Sequence, residues 1–264
     1  MTFSSRLVSG VALLFTVLAT FLLSSCYFGP HINGSGHVVK KEYRASSFDK
    51  IDLSLIFNTV IIPSNEEKII VETDDNLQQY VLIESEHGVL TVKMQSNINI
   101  GHKSAGTVYI YFKQLVSLDN SSVGKLSNVD TLKAGNFNLI NSAVGNVELK
   151  FKTHTLTISN SAVGKTELYI HTDTLSLNNS AVGKTELRGS CVLANMDNSG
   201  VGYFGALDFT TQVLHLENSA VGKTDVRAEK EFYINNSSVG KLDMYGNGVI
   251  KQLNDSGISK SSKH

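Results

Sequence analysis

Asn160-Ser161-Ala162-Val163-Gly164-Lys165-Thr166-Glu167-Leu168 is followed nineteen positions later by Asn179-Ser180-Ala181-Val182-Gly183-Lys184-Thr185-Glu186-Leu187, the same nine residues. Variants of the motif open at Asn120, Asn141, Asn198, Asn218 and Asn236, and Asp255-Ser256-Gly257 echoes it once more. The steps between these asparagines are 21, 19, 19, 19, 20 and 18 residues. Self-similarity at such a period means that each copy is one supersecondary unit stacked on its neighbours, which is a solenoid.

Within one copy the side chains alternate. Thr166, Leu168 and Ile170 share one side, while Lys165, Glu167 and Tyr169 share the other, a period of two that reads as strand. Comparing copies shows which side faces in. The Leu168 column runs Leu149, Leu168, Leu187, Ala206, Val226, Met244, and later in the coil Leu156/Ile158, Leu175/Leu177, Leu214/Leu216 and Phe232/Ile234 form two more apolar columns. β-branched residues abound and a glycine recurs in every copy, which does not suit helices. Two or three short strands per coil, each paired in parallel with its equivalent about 4.8 Å away, give a parallel β-helix.

The asparagines continue the inward alternation of Leu175, Leu177 and Asn179. Stacked amides can bond to one another up the axis, as in cross-β asparagine ladders. A lone buried amide would cost about 1–3 kcal/mol, so Asn120, Asn141, Asn160, Asn179, Asn198, Asn218 and Asn236 are expected to form one ladder that sets the register. The Gly164 column marks a corner that needs positive φ. Ser122, Ala143, Ala162, Ala181, Gly200, Ala220 and Ser238 stay small, as a tight inner corner demands.

The fold class is therefore all-β: a single-stranded parallel β-helix with coils of about 19 residues, preceded by irregular β coils or a cap. Residues 37–103 keep the alternation, as in Ile51/Leu53, Val60/Ile62, Ile69/Val71 and Leu90/Val92, but lack the motif. Residues 104–258 are read as the regular repeats, opening with a shorter degenerate coil through Gly106, Val108, Ile110, Phe112, Val116 and Leu118 into Asn120. The two parts are expected to form one continuous domain, closed by a polar tail over 259–264.

The N-terminus carries an address. Arg6 precedes a largely apolar run from Leu7 to Leu23, and Leu23-Ser24-Ser25-Cys26 resembles the lipobox of bacterial lipoproteins. That resemblance implies a signal peptide over 1–25, acylation of Cys26 (palmitate among the chains), and membrane lipid as a partner. An uncleaved anchor and a simple signal peptide with an incidental cysteine are the alternatives. Each buried CH2 of an acyl chain contributes about 0.8 kcal/mol, so two or more chains anchor stably. Tyr27 after the cysteine, rather than Asp, favours the outer membrane in sorting of the Gram-negative kind and leaves the leaflet open. Residues 26–36, rich in Gly and Ser after His31, read as a tether.

Composition narrows the classes further. Basic and acidic residues number 23 and 24, a net charge of −1, so nothing biases the whole chain towards nucleic acid. No second apolar run reaches the length of a membrane span. Cys191 is the one cysteine besides Cys26, so no intramolecular disulfide is expected once Cys26 is acylated, and its surroundings read as those of a buried thiol.

Phe48-Asp49-Lys50-Ile51-Asp52-Leu53, Val71-Glu72-Thr73-Asp74-Asp75-Asn76-Leu77, the hairpin-like Gly88-Val89-Leu90-Thr91-Val92, the lipobox and the Asn-Ser-Ala-Val-Gly coils together resemble the putative auto-transporter adhesin head (GIN) domain family over about residues 40–250. The resemblance implies a right-handed β-helix on an envelope lipoprotein with no established enzyme activity. The pattern of a translocator barrel is missing, so self-secretion is not expected.

Three outward columns are the candidate surface: Lys125, Lys165, Lys184, Lys223 and Lys241; Glu148, Glu167, Glu186, Asp225 and Asp243; and Lys150, Tyr169, Arg188, Arg227 and Tyr245. Like charges about 4.8 Å apart repel by about 0.9 kcal/mol in water, and an acid about 7 Å away returns about 0.6, so the ladders nearly cancel as a solvated structural face would. The functional reading is a stripe of Tyr169, Arg188, Arg227 and Tyr245, flanked by Lys165 and Lys184, that stacks sugar rings or meets acidic groups of a glycan. Tyr203 and Phe204 interrupt the lysine column as a contact point or as corner packing.

His154, His171 and His215 occupy different coil positions and no zinc spacing appears, so no metal and no cofactor is expected. Asp74-Asp75 is explained by a turn. The evenly repeated carboxylates are unlike the singular acid pair of a glycan-cleaving site. The expected function is a non-catalytic, lipid-anchored β-helix of the envelope, adhesion-like, binding a glycan or cell-surface ligand and no nucleic acid. A polysaccharide-active enzyme and a structural or regulatory module without a ligand are the alternatives.

Overall fold

The structure, a computed structural model, describes residues 30–101 and 106–264; the expected signal peptide and Cys26 lie outside them. In chain order the first strands are β1 (His31–Ile32), β2 (Val38–Arg44), β3 (Lys50–Ser54), β4 (Asn58–Pro63), β5 (Lys68–Asp74), β6 (Val81–Glu86), β7 (Val89–Met94), β8 (Asn99–Ile100) and β9 (Gly106–Phe112). Next come β10 (Ser117–Asn120), β11 (Leu126–Asn128), β12 (Leu132–Asn141), β13 (Val144–Asn160), β14 (Val163–Asn179), β15 (Val182–Asn198), β16 (Val201–Asn218), β17 (Val221–Asn236), β18 (Val239–Tyr245), β19 (Val249–Asp255) and β20 (Ile258–Lys263). The helical content among the described residues is one 3-10 turn, Gln78–Tyr80.

These strands build a parallel β-solenoid of about eight turns with coils near 19 residues. β13 pairs with β14 in register from Val144↔Val163 to Asn160↔Asn179, and β14 with β15 from Val163↔Val182 to Asn179↔Asn198. Each full coil is one strand of 16 to 18 residues bent around the rod, not two or three separate strands. It breaks only at the two-residue step after each asparagine, such as Ser161-Ala162.

The inward columns form the core. Leu149, Leu168, Leu187, Ala206, Val226 and Met244 are buried, as are Leu156, Leu175, Ala194, Leu214 and Phe232. Each fully buried Leu or Phe contributes about 1.5–3 kcal/mol, so a column adds up rung by rung. The corner glycines have positive φ, +130° at Gly164 and +125° at Gly183. A Cβ on Gly183 would lie 2.3 Å from the Gly164 carbonyl oxygen, so close approach of backbones demands glycine as much as φ does.

Asn120 Nδ2 donates to Asn141 Oδ1 at 3.0 Å, and the same bond repeats through Asn160, Asn179, Asn198, Asn218 and Asn236 at 2.8–2.9 Å. All the amides point the same way. The ladder ends where Asn236 Nδ2 donates to Asp255 Oδ1 at 3.0 Å. A carboxylate only accepts, so Asp255 terminates the series. Its bonds from Ser261 and Asn236, opposed by partial burial, hold its carboxyl below the ordinary range.

Spatial order departs from chain order at the N-terminal end. β10 stacks on β3 (Leu118↔Ile51, Asn120↔Leu53) and β11 on β4 (Leu126↔Thr59). On the other side of that rung β7 pairs with β3 and β9 with β4. Residues 106–118 therefore do not form a degenerate coil leading into Asn120; β9 is separated from β10–β11 by the β3–β4 rung. Pairing needs only backbone and an inward apolar column, which β3–β4 supplies without the motif. Leu53 occupies the ladder position there, so Asn120 Oδ1 accepts from the Ser122 amide at 3.3 Å instead.

The rest of the N-terminal part is a cap. β2 and β9 flank β5 antiparallel, and β6–β7 is an antiparallel hairpin turning at His87-Gly88, both with positive φ. β1 pairs with β8, and Ser35 Oγ donates to Asp75 Oδ1 at 2.6 Å, so the segment read as a tether is bonded to the cap from residue 31 on.

The other end differs from expectation too. Residues read as a polar tail form β20, which pairs in parallel with β18 from Val239↔Ile258 to Met244↔Lys263. Ser261 and Lys263 stand opposite Leu242 and Met244, so the last rung replaces apolar inward residues by polar ones. A polar outer rung discourages further pairing, which is what a terminal repeat must do.

Candidate ligand-binding face

The lysine and acid columns lie side by side on the outer surface and are bonded within rungs. Lys165 Nζ is 2.8 Å from Glu167, Lys184 2.9 Å from Glu186, Lys223 2.8 Å from Asp225 and Lys241 2.6 Å from Asp243. The hydrogen bond to Glu167 raises the Lys165 ammonium pKa, and the bond to Asp225 raises that of Lys223. Lys125 reaches Glu148 of the next rung at 2.9 Å and lowers that carboxyl.

The acid column is not uniformly solvated, contrary to the sequence-based expectation. Its side chains are 37% exposed at Glu148, 16% at Glu186, 2% at Asp225 and 0% at Asp243. The shorter Asp retracts beneath the lysines. Burial alone would raise the Asp243 carboxyl, but the bonds from Lys241 and His264 outweigh it and the pKa falls. At Glu186, likewise, Lys184 and Lys165 overcome burial.

Tyr203 explains part of that burial. Its rung carries Gly205 where the rungs on either side carry Glu186 and Asp225, and the ring lies over this glycine, where a Cβ would sit 2.6 Å from it. Tyr203 Oη donates to Asp225 Oδ2 at 2.8 Å, between Lys184 at 5.4 Å and Lys223 at 5.7 Å from the ring centre. Burial, then the Asp225 bond, pushes the phenol pKa well up. Of the two readings of Tyr203, packing is the one this geometry fits.

The six stripe residues do not form one continuous surface. Tyr169 and Arg188 are in register, with the guanidinium 5.7 Å from the ring centre. Arg188 on β15 and Arg227 on β17 are separated by the β16 rung, where a register shift after Glu186 sets Asp208 opposite Arg188, 3.9 Å away. Arg227 pairs with Glu229 at 2.9 Å, and Tyr245 stacks on His264 at 4.9 Å. The stripe thus divides into a Tyr169–Arg188 half, flanked by Lys165 and Lys184, and an Arg227–Tyr245 half.

Beside the first half the chain turns a concave corner that sequence reasoning did not single out. His154 Nδ1 lies 2.8 Å from Asp173 Oδ2, and His171 Nδ1 3.1 Å from Ser190 Oγ. Below them the Thr153 and Thr172 hydroxyls bond at 2.9 Å. Cys191 is buried there, and burial pushes its thiol pKa up to about 12, so it is an inert thiol. The sequence signal was available: Lys150 is followed two residues on by Lys152, a second cation with no acid between them. Among the described residues no three His, Cys, Asp or Glu side chains converge as a metal set would.

The profile of the family described as "Putative auto-transporter adhesin, head GIN domain" matches residues 47–248. The chain belongs to this family. Among solved structures, a putative lipid binding protein from Parabacteroides distasonis is 20% identical with a TM-score of 0.72, covering 89% of this chain and 99% of that one. A putative adhesin from Parabacteroides merdae is also 20% identical, with a TM-score of 0.71 over 89% and 99%. A putative adhesin from Bacteroides fragilis is 19% identical, with a TM-score of 0.68 over 88% and 100%. At these identities the likeness is one of fold. No curated protein matches the chain. Family and fold fit an adhesion-like protein of the cell envelope or surface, and among the described residues no helix is long and apolar enough to cross a membrane.

Proposed function

We propose that this protein is a non-catalytic, adhesion-like β-solenoid of the cell envelope, held by acyl chains on Cys26 and binding an extended ligand such as a glycan along its side. The observation that carries the reading is the outer face at the start of each coil, where the segments from the Val to the acid column stay in register. From Val144 to Val239 five successive steps keep strand equivalents side by side, about 24 Å of rigid surface at about 4.8 Å per step. Such a face presents repeated groups to a repeated ligand without ordering cost on the protein side. The neighbouring acids of that face, Asp225 and Asp243, are buried and lysine-bonded, an arrangement suited to structure more than to proton transfer on a sugar.

The test uses the full chain in detergent on a panel of glycans and surface polymers, beside variants with Ala at Tyr169, Arg188, Arg227 and Tyr245. Binding that weakens in the variants supports the face. Unchanged binding removes it, and release of new sugar ends from any polymer would replace this reading by an enzymatic one.

A further inference from the structure

The pairing of lysine with acid along the rod does not reach one cluster near its middle. Lys150 is followed two residues later by Lys152, and Lys152 lies in register with Lys133 of the rung before. Among the described residues none of these three forms an ion pair, and the nearby Glu148 is already bonded to Lys125. The next rungs continue the two columns with different chemistry. Lys150 is followed by Tyr169 and Arg188, and Lys152 by His171 and Ser190. Two acids border the patch: Asp173, held by His154, and Asp208, at a long 3.9 Å from Arg188. The adjoining corner is a groove of about 440 Å³ lined by Lys152, His171 and Ser190 among others, and by Asp173 with its His154 partner.

We propose that this corner is the binding site for an acidic glycan, laid along the rod with its carboxylate or sulfate groups on Lys133, Lys150, Lys152 and Arg188 and a sugar ring against Tyr169. The proposal rests on the binding reading above and specifies its site and ligand class. Unpaired cations stacked one rung apart repel each other, and a polyanion relieves that repulsion while water and salt only screen it. The step between rungs is comparable to the advance of an extended sugar chain per residue, so anionic groups can meet successive cations. Tyr169 supplies a ring face of the kind that packs on sugars, and Arg188 a planar fork for carboxylate or sulfate. Nucleic acid is disfavoured by a net charge of −1 and by a patch with one tyrosine. A membrane surface is disfavoured because Val192 is the one large aliphatic side chain lining the groove.

The test measures binding of polygalacturonate, chondroitin sulfate, neutral dextran and glycerol 3-phosphate (a soluble lipid headgroup) to the full chain in detergent. Expected are binding of the two acidic polymers that weakens steeply with salt, and at least a tenfold loss in the double variant Lys150→Gln, Lys152→Gln. Lys41→Gln, an exposed lysine on the cap strand β2, should leave affinity unchanged. Tyr169→Ala should weaken binding without flattening its salt dependence, which a purely electrostatic patch would not show. Circular dichroism of each variant confirms the fold. Equal affinity for dextran, indifference of the acidic polymers to the double variant, or competition by glycerol 3-phosphate at matched charge would each overturn the proposal. Dextran bound independently of the corner would do so while leaving the broader adhesion reading intact; failure of every polymer to bind would remove both.

Discussion

Replacing Asn179 by Leu cuts the amide ladder near its middle. Asn179 Oδ1 accepts from Asn160 Nδ2 at 2.8 Å and from Thr185 Oγ1 at 3.1 Å, and its Nδ2 donates to Asn198 Oδ1 at 2.8 Å. Three bonds at about 1 kcal/mol each are lost, and Asn198 Oδ1 is left without its donor at about 1–3 more. Asn160 Nδ2 keeps Thr185 Oγ1 at 3.2 Å and is not orphaned. Burying a Leu returns about 1.5–3 kcal/mol, so the net loss is about 1–4 kcal/mol. Urea unfolding followed by far-ultraviolet circular dichroism reads this directly, provided the slope against denaturant stays that of the parent. A double variant sharpens the argument. With Asn198→Leu added, the link between the two positions has no orphan left in it, so the pair should cost less than the sum of the singles. Asn120→Leu, three rungs away, should add to Asn179→Leu. A neutral single variant, or strict additivity for Asn179 and Asn198, would show that the column is not a cooperative ladder.

Gly183→Ala meets both positive φ and a backbone oxygen 2.3 Å from the new Cβ, and should cost about 2–5 kcal/mol, whereas Gly135→Ala has open space around it and should be near neutral; similar melting temperatures would refute the corner argument. Tyr203→Phe removes a donor from buried Asp225 and should cost about 1.5–3 kcal/mol in the same assay, while a Tyr203→Phe variant as stable as the parent would mean that the hydroxyl is idle. Acid should destabilise the rod. Glu148, Glu186, Asp243 and Asp255 all have folded carboxyl pKa values below their ordinary 4.5 and 3.8, so the stability they contribute is present above those values and lost as pH falls through the lower folded ones. Asp119 runs the other way, raised by burial and by Asp52, so its protonation favours the fold; a melting temperature that rose steadily as pH fell from about 5 to about 2.5 would show that its sign dominates. Cys26→Ser should abolish acyl labelling and release the protein from the membrane fraction, and labelling that persists would reject the anchor.

Much of this was legible because the repeat reports on itself. Seven copies of one motif show which side chain faces in at every position, since a column that stays apolar in all of them has one environment. The inward columns, the asparagine ladder and the glycine corners follow from that comparison alone. The irregular parts lacked this redundancy. Nothing in Ile51, Leu53 or Thr59 announces that their strands form the rung under Leu118 and Leu126. Polar Ser259–Lys263 likewise gave no apolar alternation by which a strand is recognised, yet its backbone pairs as well as any other.

The sequence by itself determined the coil: its length, its inner and outer faces, and the residues that stack from one turn to the next, because these are set by local alternation repeated at a fixed period. Tertiary structure decided what depends on neighbours from other rungs. It placed β3–β4 between β9 and β10, let Tyr203 cover the Gly205 gap and bury Asp225, and set Asp208 of the β16 rung opposite Arg188, between it and Arg227. It also left Lys133, Lys150 and Lys152 without an ion pair among the described residues. Charge balance and burial belong to the stack rather than to the coil, since each rung's environment is completed only by the two rungs that enclose it.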